Sequence, residues 1–301
     1  MREHKPLITI GVTAFNEKRL LLEAWNSVLN QSSDEWQAVM ILDGGSDRKT
    51  RFIYQQIEHP RLIKYSFNDN RGIYPCRTKA IELTNTEWYF HLDADDLLPP
   101  NAVELVLSKI NLEPNVEFIA GACNHFGLGS NQVIQPSNDD EVLCICPLFF
   151  AQAPIKKKLF EYIGGYYIPD HFFHSDWDFW LSVYEKQIKG AELNDIIYNR
   201  RRRLDNTTNL NFEELPVGVE KIIERHPIFF SSKQRKCKSR YDIYQKTARY
   251  YKRIGKRTLA KKYADLALQY GDVNSSIISI NQEINMPVWR YYIRRLRRLF
   301  Y

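Results

Sequence analysis

Between Leu7 and Ile110, short apolar runs alternate with helical ones, and this alternation restricts the fold more than any other feature of the chain. "LITIGVTA" and "QAVMILDGGSD" are compact runs, apolar on both faces, and the second closes in a turn. "RLIKYSF" and "WYFHLD" have the same form. Strands of this kind need cover on both faces. Between them, Leu21, Trp25, Val28 and Leu29 fall at helical spacing. So do Cys76, Ala80 and Leu83 within Ile73–Asn85, and Ala102, Leu105, Val106 and Ile110 after Asn101. Strands joined through helices pair as parallel neighbours. The expected fold is therefore α/β, a mainly parallel sheet flanked by helices.

Further along, "VEFIAGA", "EVLCICPLFF" and "AELNDIIYNRRRR" read as strands. "KKKLFEYIGG" reads as a helix stopped by Gly164 and Gly165. "DWDFWLSVYEKQI" is an amphipathic helix with Trp177, Trp180, Leu181, Tyr184 and Ile188 on one stripe. From Phe212 onward only helical patterns remain. The boundary falls in the turn-rich "LDNTTNLN", giving a domain over residues 1–210 and a helical region over 211–301. The net charge of +6 is concentrated in the last third, in "NRRRRL", "KQRKCKSR" and "RYYIRRLRRLF". Five scattered cysteines form no disulfide framework, which favours a reducing compartment. Cys144 and Cys146 lack a second pair at zinc spacing and read as buried strand residues. The opening "MREHKPLITIGVT" lacks the apolar core of a signal peptide, and no apolar run reaches the ~18 residues of a membrane span. A cytoplasmic location is expected.

Polar residues gather where the strands end. Asn16, Asp43 and the cluster Asp93, Asp95 and Asp96 each follow the carboxyl end of an expected parallel strand. Ligands of open α/β sheets bind in the crevice outside those ends. Singly, Asn16, Asp43 and Ser46 are ordinary turn and cap residues. Together with three adjacent carboxylates they mark a site. If the strand continues through Asp93, then Asp93 and Asp95 share a face and suit a hard divalent cation.

At these residues the chain resembles the family-2 glycosyltransferases of the GT-A fold. "ITIGVTAFNEKRLLLEAWNSVLNQS" is similar to that family's first strand, Asn-bearing turn and "VLNQ" helix. "ILDGGSD", "NDNRGIYPCRTKAI" and "HLDADDLLPP" resemble its second-strand, "A-R-N-x-G-I" and D-x-D motifs. "LFEYIGGYYIPDHFFHSDWDFWLSV" resembles its "GG" followed by "E-D-W-D". The likeness runs from Leu7 to Thr208. It implies transfer of a sugar, with inversion, from a nucleotide-sugar donor, UDP-linked by preference, to a hydroxyl of a glycan or lipid-linked saccharide in surface polysaccharide biosynthesis.

The resemblance also implies roles. Thr13 and Phe15 contact the nucleotide base, and Asn16, Asp43, Arg77 and Asp93 complete the nucleotide-sugar site. Asp95 and Asp96 are the candidate metal ligands for Mn²⁺ or Mg²⁺. Asp176 is the catalytic base, although by position alone it reads first as a helix-start aspartate favoured by the helix dipole. Gly44 stands where many members have a second Asp, Ser175 where an acidic residue precedes the base, Thr13 where proline is common and Thr78 where asparagine is common.

His171 and His174 read as exposed loop histidines, and Arg200 to Arg203 as either an anion grip or a solvated run. "DIYQKTARYYKRIGKRTLAKKYADLALQYGD" resembles one tetratricopeptide helix pair packed as a hairpin. "PVWRYYIRRLRRLFY" sets Trp289, Tyr292, Ile293, Leu296, Leu299 and Phe300 opposite four arginines, a pattern suited to a helix on the inner face of an anionic membrane or to one docked on its own domain. No nucleic acid is expected as a partner. Two rival functions are a nucleotidyltransferase of related architecture and a non-catalytic assembly subunit. "TAFNEKRL" lacks the Gly-rich basic loop of the first, and the retained Asp cluster and Asp176 argue against the second.

Overall fold

The computed structural model describes residues 6–129, 131–137, 139–144, 152–168, 174–203 and 213–271. They divide into two compact units. The first comprises Met1–Asp139, Pro147–Asp170 and Ser175–Asn206; the second comprises Asp140–Cys146, His171–His174 and Thr207–Tyr301.

In the first unit, β1 (Ile8–Ala14), β2 (Trp36–Leu42), β3 (Leu62–Ser66) and β4 (Trp88–Asp93) are the four expected strands. They lie in the order β3-β2-β1-β4, and every neighbouring pair is parallel. The sheet continues through β7 (Ile155–Lys156), β5 (Phe118–Gly127) and β6 (Gln132–Ile134) with antiparallel pairings. β8 (Gly190–Arg202) returns parallel to β5. The described sheet is thus mixed, with its parallel half at the start of the chain.

Side-chain alternation divides the core in two. Ile8, Ile10 and Val12 of β1 and Trp88, Phe90 and Leu92 of β4 meet helices α1 (Arg19–Leu29) and α4 (Ala102–Leu112). The intervening Val39, Ile41 and Tyr89 meet α3 (Ile73–Glu82), α6 (Lys157–Ile163) and α7 (Ser175–Glu185) on the other face. Residues apolar on both sides form strands here because both faces are covered. As expected, α6 stops at Gly164, which takes the left-handed conformation.

The turn after β2 controls how α3 begins. Asp43 is buried, and its carboxylate accepts from the amides of Gly44 (2.9 Å), Arg71 (2.7 Å) and Gly72 (2.9 Å). Gly72 is the N-cap of α3 at φ 84°, a conformation open to glycine. A Cβ on Gly44 would lie 2.2 to 2.4 Å from backbone atoms of Asp69. The departure from a second aspartate therefore has a steric counterpart, because the Asp69 backbone occupies the space a side chain would need. After β2, α2 (Arg48–Gln56) is capped by Asp47, which accepts from the amides of Lys49 and Thr50.

The described residues of the second unit are helical. They form α5 (Asp140–Leu143), α8 (Leu215–Arg225), a 3₁₀ turn (Phe229–Ser231), α9 (Lys233–Arg253) and α10 (Arg257–Leu268). Helices α9 and α10 form the expected hairpin, turning at Gly255 (φ 82°) and packing Ala248, Tyr251, Ala260 and Ala264. Two expectations are corrected here. Glu141–Leu143, the start of the expected strand "EVLCICPLFF", belong instead to the helical turn Asp140–Leu143, and Cys144 is buried directly after it. Four consecutive polar and apolar residues, "DEVL", fit one helical turn as readily as a strand. His174 is buried, with its ring against Gly218 of α8, rather than exposed. His171, Cys146, the 210/211 boundary and the terminal Pro287–Tyr301 segment lie outside the described residues. No described helix is long and apolar enough to cross a membrane.

Substituting Gly44→Ala should therefore cost roughly 1–3 kcal/mol, the usual range for overpacking, and lower Tm by several degrees. The Arg71 and Gly72 amides should exchange hydrogen faster as the segment leaves Asp43. An unchanged Tm with unchanged exchange would refute this packing.

Candidate active site

Strand β1 lies between β2 and β4, so the direction of chain crossover reverses at the β1/β4 pair, where open α/β sheets bind ligands. Thr13 and Asp93 are register partners at that point, and the Ala94 amide donates to the Thr13 carbonyl at 3.1 Å. The expected residues of both strand ends thus share one edge.

Helix α3 bridges that edge. Its start is fixed by Asp43, and Pro75 sits in the first turn, where an amide has no partner within the helix. One turn apart on the helix, Tyr74 and Arg77 reach different carboxylates. The Tyr74 hydroxyl donates to Asp176 Oδ1 at 3.1 Å. Arg77 Nη2 lies 3.0 Å from both oxygens of Asp93. The pair is largely shielded, with side chains 5% and 20% exposed. Burial opposes both charges. The Arg77 guanidinium and then His91 nevertheless hold the Asp93 carboxyl well below the usual carboxylate range, while Asp93 pushes Arg77 up.

Three further groups fix Asp93. His91 Nε2 lies 2.7 Å from Asp93 Oδ1 and 3.0 Å from Arg77 Nε, and Tyr89 meets the other ring nitrogen at 3.0 Å. Burial, then Arg77, lowers the His91 pKa, which favours the neutral ring. Gln152 Nε2 donates to Asp93 Oδ2 at 3.0 Å, while its buried Oε1 has no hydrogen-bond partner among the described residues. The Tyr198 hydroxyl accepts from the Asp93 amide (3.1 Å) and donates to Asp96 Oδ2 (2.9 Å).

The two metal candidates sit in different surroundings. Asp96 is buried, and its second oxygen accepts from the Arg201 amide at 2.6 Å. Burial, then the charges of Asp93 and Asp95, push its carboxyl well above the usual range. Asp95 has a side chain 21% exposed and lies 3.7 Å from Arg203 Nη1. Burial and the Asp93 charge push it up too. Glu17, which the motif reading left without a role, belongs to the same neighbourhood. It accepts from the Phe15 amide at 2.5 Å, and burial, with smaller contributions from Asp95 and Asp93, pushes it up to about 7.

Asn16 accepts from the Asp47 amide at 2.8 Å and so ties the β1 turn to the cap of α2. Phe15 is half-buried beside it. On α7, Asp176 Oδ1 also accepts from the Trp177 amide at 2.9 Å. The preceding Ser175 is fully buried and donates to the Tyr167 carbonyl at 2.6 Å. A carboxylate there would be buried as well, which gives the serine departure a physical reason. His91 reads from sequence only as a mid-strand core or rim residue, and it is indeed buried in β4; Tyr74, Gln152 and Tyr198 were not singled out. The aromatic and polar residues inside "WYFHLD" and "IIYNRRRR" were the available signal.

A family model described as Glycosyl transferase family 2 matches residues 9–168, more than half of the 301-residue chain. Chondroitin synthase of Escherichia coli is 30% identical over 105 residues, covering 35% of this chain and 15% of that protein. The putative colanic acid biosynthesis glycosyl transferase WcaA of E. coli K12 is 25% identical over 195 residues, covering 64% of this chain and 66% of its own. The chain thus spans less than two thirds of either relative. Among solved structures, residues 1–349 of TarS from S. aureus superpose with a TM-score of 0.57 at 14% identity, covering 92% of this chain and 90% of that one. The mannosyltransferase PcManGT from Pyrobaculum calidifontis, solved with GDP-Man and Mn²⁺, gives 0.58 at 17% identity, covering 89% and 77%. At such identities the structural likeness is one of fold, and the mixed sheet flanked by helices is that fold, GT-A. By its family match over residues 9–168, the chain belongs to glycosyl transferase family 2.

Proposed function

We propose that this chain is an inverting, metal-assisted glycosyltransferase. It takes a sugar from a nucleotide-sugar, UDP-linked as the first candidate, and attaches it to a hydroxyl of a glycan or lipid-linked saccharide during surface polysaccharide synthesis. The observation that carries this reading is the bridge made by α3, in which Tyr74 touches Asp176 and Arg77 touches Asp93. A group able to take a proton and a group suited to the donor are thereby tied to one helix. Relatives named for chondroitin and colanic acid support the polymer class. TarS solved with UDP-GlcNAc supports the donor class. In this reading residues 1–210 carry the chemistry, residues 211–301 form a helical accessory region, and the enzyme works in the cytoplasm with its basic end against the inner face of the membrane.

Inversion requires the acceptor hydroxyl to attack the anomeric carbon as the diphosphate departs from the opposite side. Asp176 takes the hydroxyl proton. Tyr74 and the Trp177 amide hold Oδ1, and no described residue hydrogen-bonds Oδ2, which is left for the acceptor. Thr13, Phe15 and Asp43 line the nucleotide side, and Asp93 with Arg77 forms the wall toward the sugar and diphosphate. The Gln152 oxygen beside Asp93 is a polar atom without a donor among the described residues, as expected of a pocket completed by ligand.

Among the described residues, no group of three or more His, Cys, Asp or Glu side chains makes a ready metal cage. The residues do fit a cation held jointly with a nucleotide. Burial, then the Asp93 charge, push the Asp95 carboxyl up, so a cation would relieve it. Asp95 would be the ligand, with diphosphate oxygens and water, whereas Asp96 has both oxygens engaged and would brace the turn. Held there, Mn²⁺ or Mg²⁺ would supply positive charge to stabilise the diphosphate as it leaves.

Replacing the base leaves shape nearly intact in Asp176→Asn, since asparagine also suits a helix start. Transfer should fall by ~10²–10⁴-fold, the usual loss of a general base, with nucleotide affinity and Tm preserved. Near-normal transfer by the folded variant would remove Asp176 from that role.

Calorimetry of UDP with Mn²⁺ or Mg²⁺ tests the cation. Binding should weaken strongly with a chelator and in Asp95→Ala. Equal affinity in chelator would overturn the metal assignment.

Glu17 gives the metal-free protein a pH signature. Its pKa rises from an ordinary 4.5 to about 7 on folding, so the folded state resists ionising it. Below 4.5 the penalty is absent; it grows as pH rises and is complete above 7, reaching at most ~3 kcal/mol. The stability difference between Glu17→Gln and the parent should widen in favour of the variant across that window. A constant difference from pH 4.5 to 7.5 in chemical denaturation would contradict it.

A further inference from the structure

The arginine run at the end of β8 is not one surface. Strand alternation sends its members to opposite sides of the sheet. Arg201 stacks on Phe126 (4.7 Å) and pairs with Glu23 at 2.8 Å. Arg200 and Arg202 fall on the other side with His125, which is the register partner of Arg200. There Arg202 reaches across β5. Its Nη2 lies 2.8 Å from His125 Nδ1 and donates to Gln132 Oε1 at 2.7 Å.

Both of these acceptors are neutral. Among the described residues Arg202 forms no ion pair, although it is half-buried. A partly shielded guanidinium normally carries a carboxylate or phosphate. Its positive field is felt next door, because burial and the charges of Arg200 and Arg202 lower the His125 pKa to about 4. His125 thus stays a neutral acceptor that orients Arg202 and leaves the charge uncompensated. The ledge lies beside the Asp95 turn, where Leu97 and Asn199 exchange backbone hydrogen bonds at 2.9 and 3.0 Å.

We propose that Arg202, oriented by His125 and Gln132, is a binding site for an oxyanion carried by the saccharide substrate, a uronate carboxylate or a phosphate, so that this enzyme acts on acidic glycans. The planar guanidinium fork fits either group in two-point fashion. The inference rests on the glycosyltransferase reading above but adds the substrate's charge. It separates Arg202 from Arg203, which lies 3.7 Å from Asp95 Oδ2 and so belongs to the diphosphate side.

Binding should be measured for UDP, for UDP-glucose against UDP-glucuronate, and for a neutral hexasaccharide against a glucuronate-bearing and a glycerol-phosphate-bearing one, with UDP and Mn²⁺ present. The parent should prefer at least one acidic probe by about tenfold or more. Arg202→Gln should abolish that preference while leaving UDP affinity within about twofold. The preference should also weaken with added salt. Gln132→Leu, which loosens Arg202 from the edge, should give a partial loss and serves if Arg202→Gln does not fold. A parent indifferent to acidic groups, or a variant that keeps the preference, would overturn the proposal. So would equal weakening of UDP, which would put Arg202 on the nucleotide's own diphosphate. A parent that binds neither UDP nor any nucleotide-sugar would instead defeat the glycosyltransferase reading itself.

Discussion

The carboxyl edge of the sheet is organised around the shielded ion pair of Arg77 and Asp93. Breaking such a pair by removing one partner typically costs ~3–5 kcal/mol, because the other charge stays buried and uncompensated. The pair is therefore a constraint as much as a bond. It fixes α3 against β4, and α3 in turn brings Tyr74 to Asp176. Asp43 completes the arrangement by fixing the first turn of the same helix through two amides. Three strand or helix ends are thus registered to one another through a single helix.

The aspartate cluster shows how environment divides identical side chains. Asp93 is held charged by Arg77 and His91, Asp96 is driven toward the neutral form by burial, and Asp95 is pushed up at the open side. Three adjacent full charges would repel one another strongly. Their different neighbours let each take a separate state, as in sites where like groups do different work. Tyr198 links two of them, accepting from the Asp93 amide and donating to Asp96.

Departures from the family pattern prove to be local packing solutions. Gly44 makes room for the Asp69 backbone, and Ser175 occupies a fully buried position at the start of α7. Neither change disturbs the bridge.

The sequence alone determined the parallel strands, the helices between them, the helical end of the chain and the positions of Asp43, Asp93 and Asp176 at strand and helix termini. These are local properties, since periodicity of two or 3.6 reports which face is buried. It misread the start of "EVLCICPLFF" because a stretch of about four residues carries too little periodicity to separate a strand from a turn of helix. It could not assign the arginine run, because alternation sorts those side chains only once β5 is known to lie alongside. Nor could it find the contacts that join the site. Tyr74 with Asp176, and Tyr198 with Asp96, are each 102 residues apart. Which polar atoms meet over such separations is decided by how the layers pack. A buried hydrogen-bonding group needs a partner in space, and no local pattern in the chain records which one it receives.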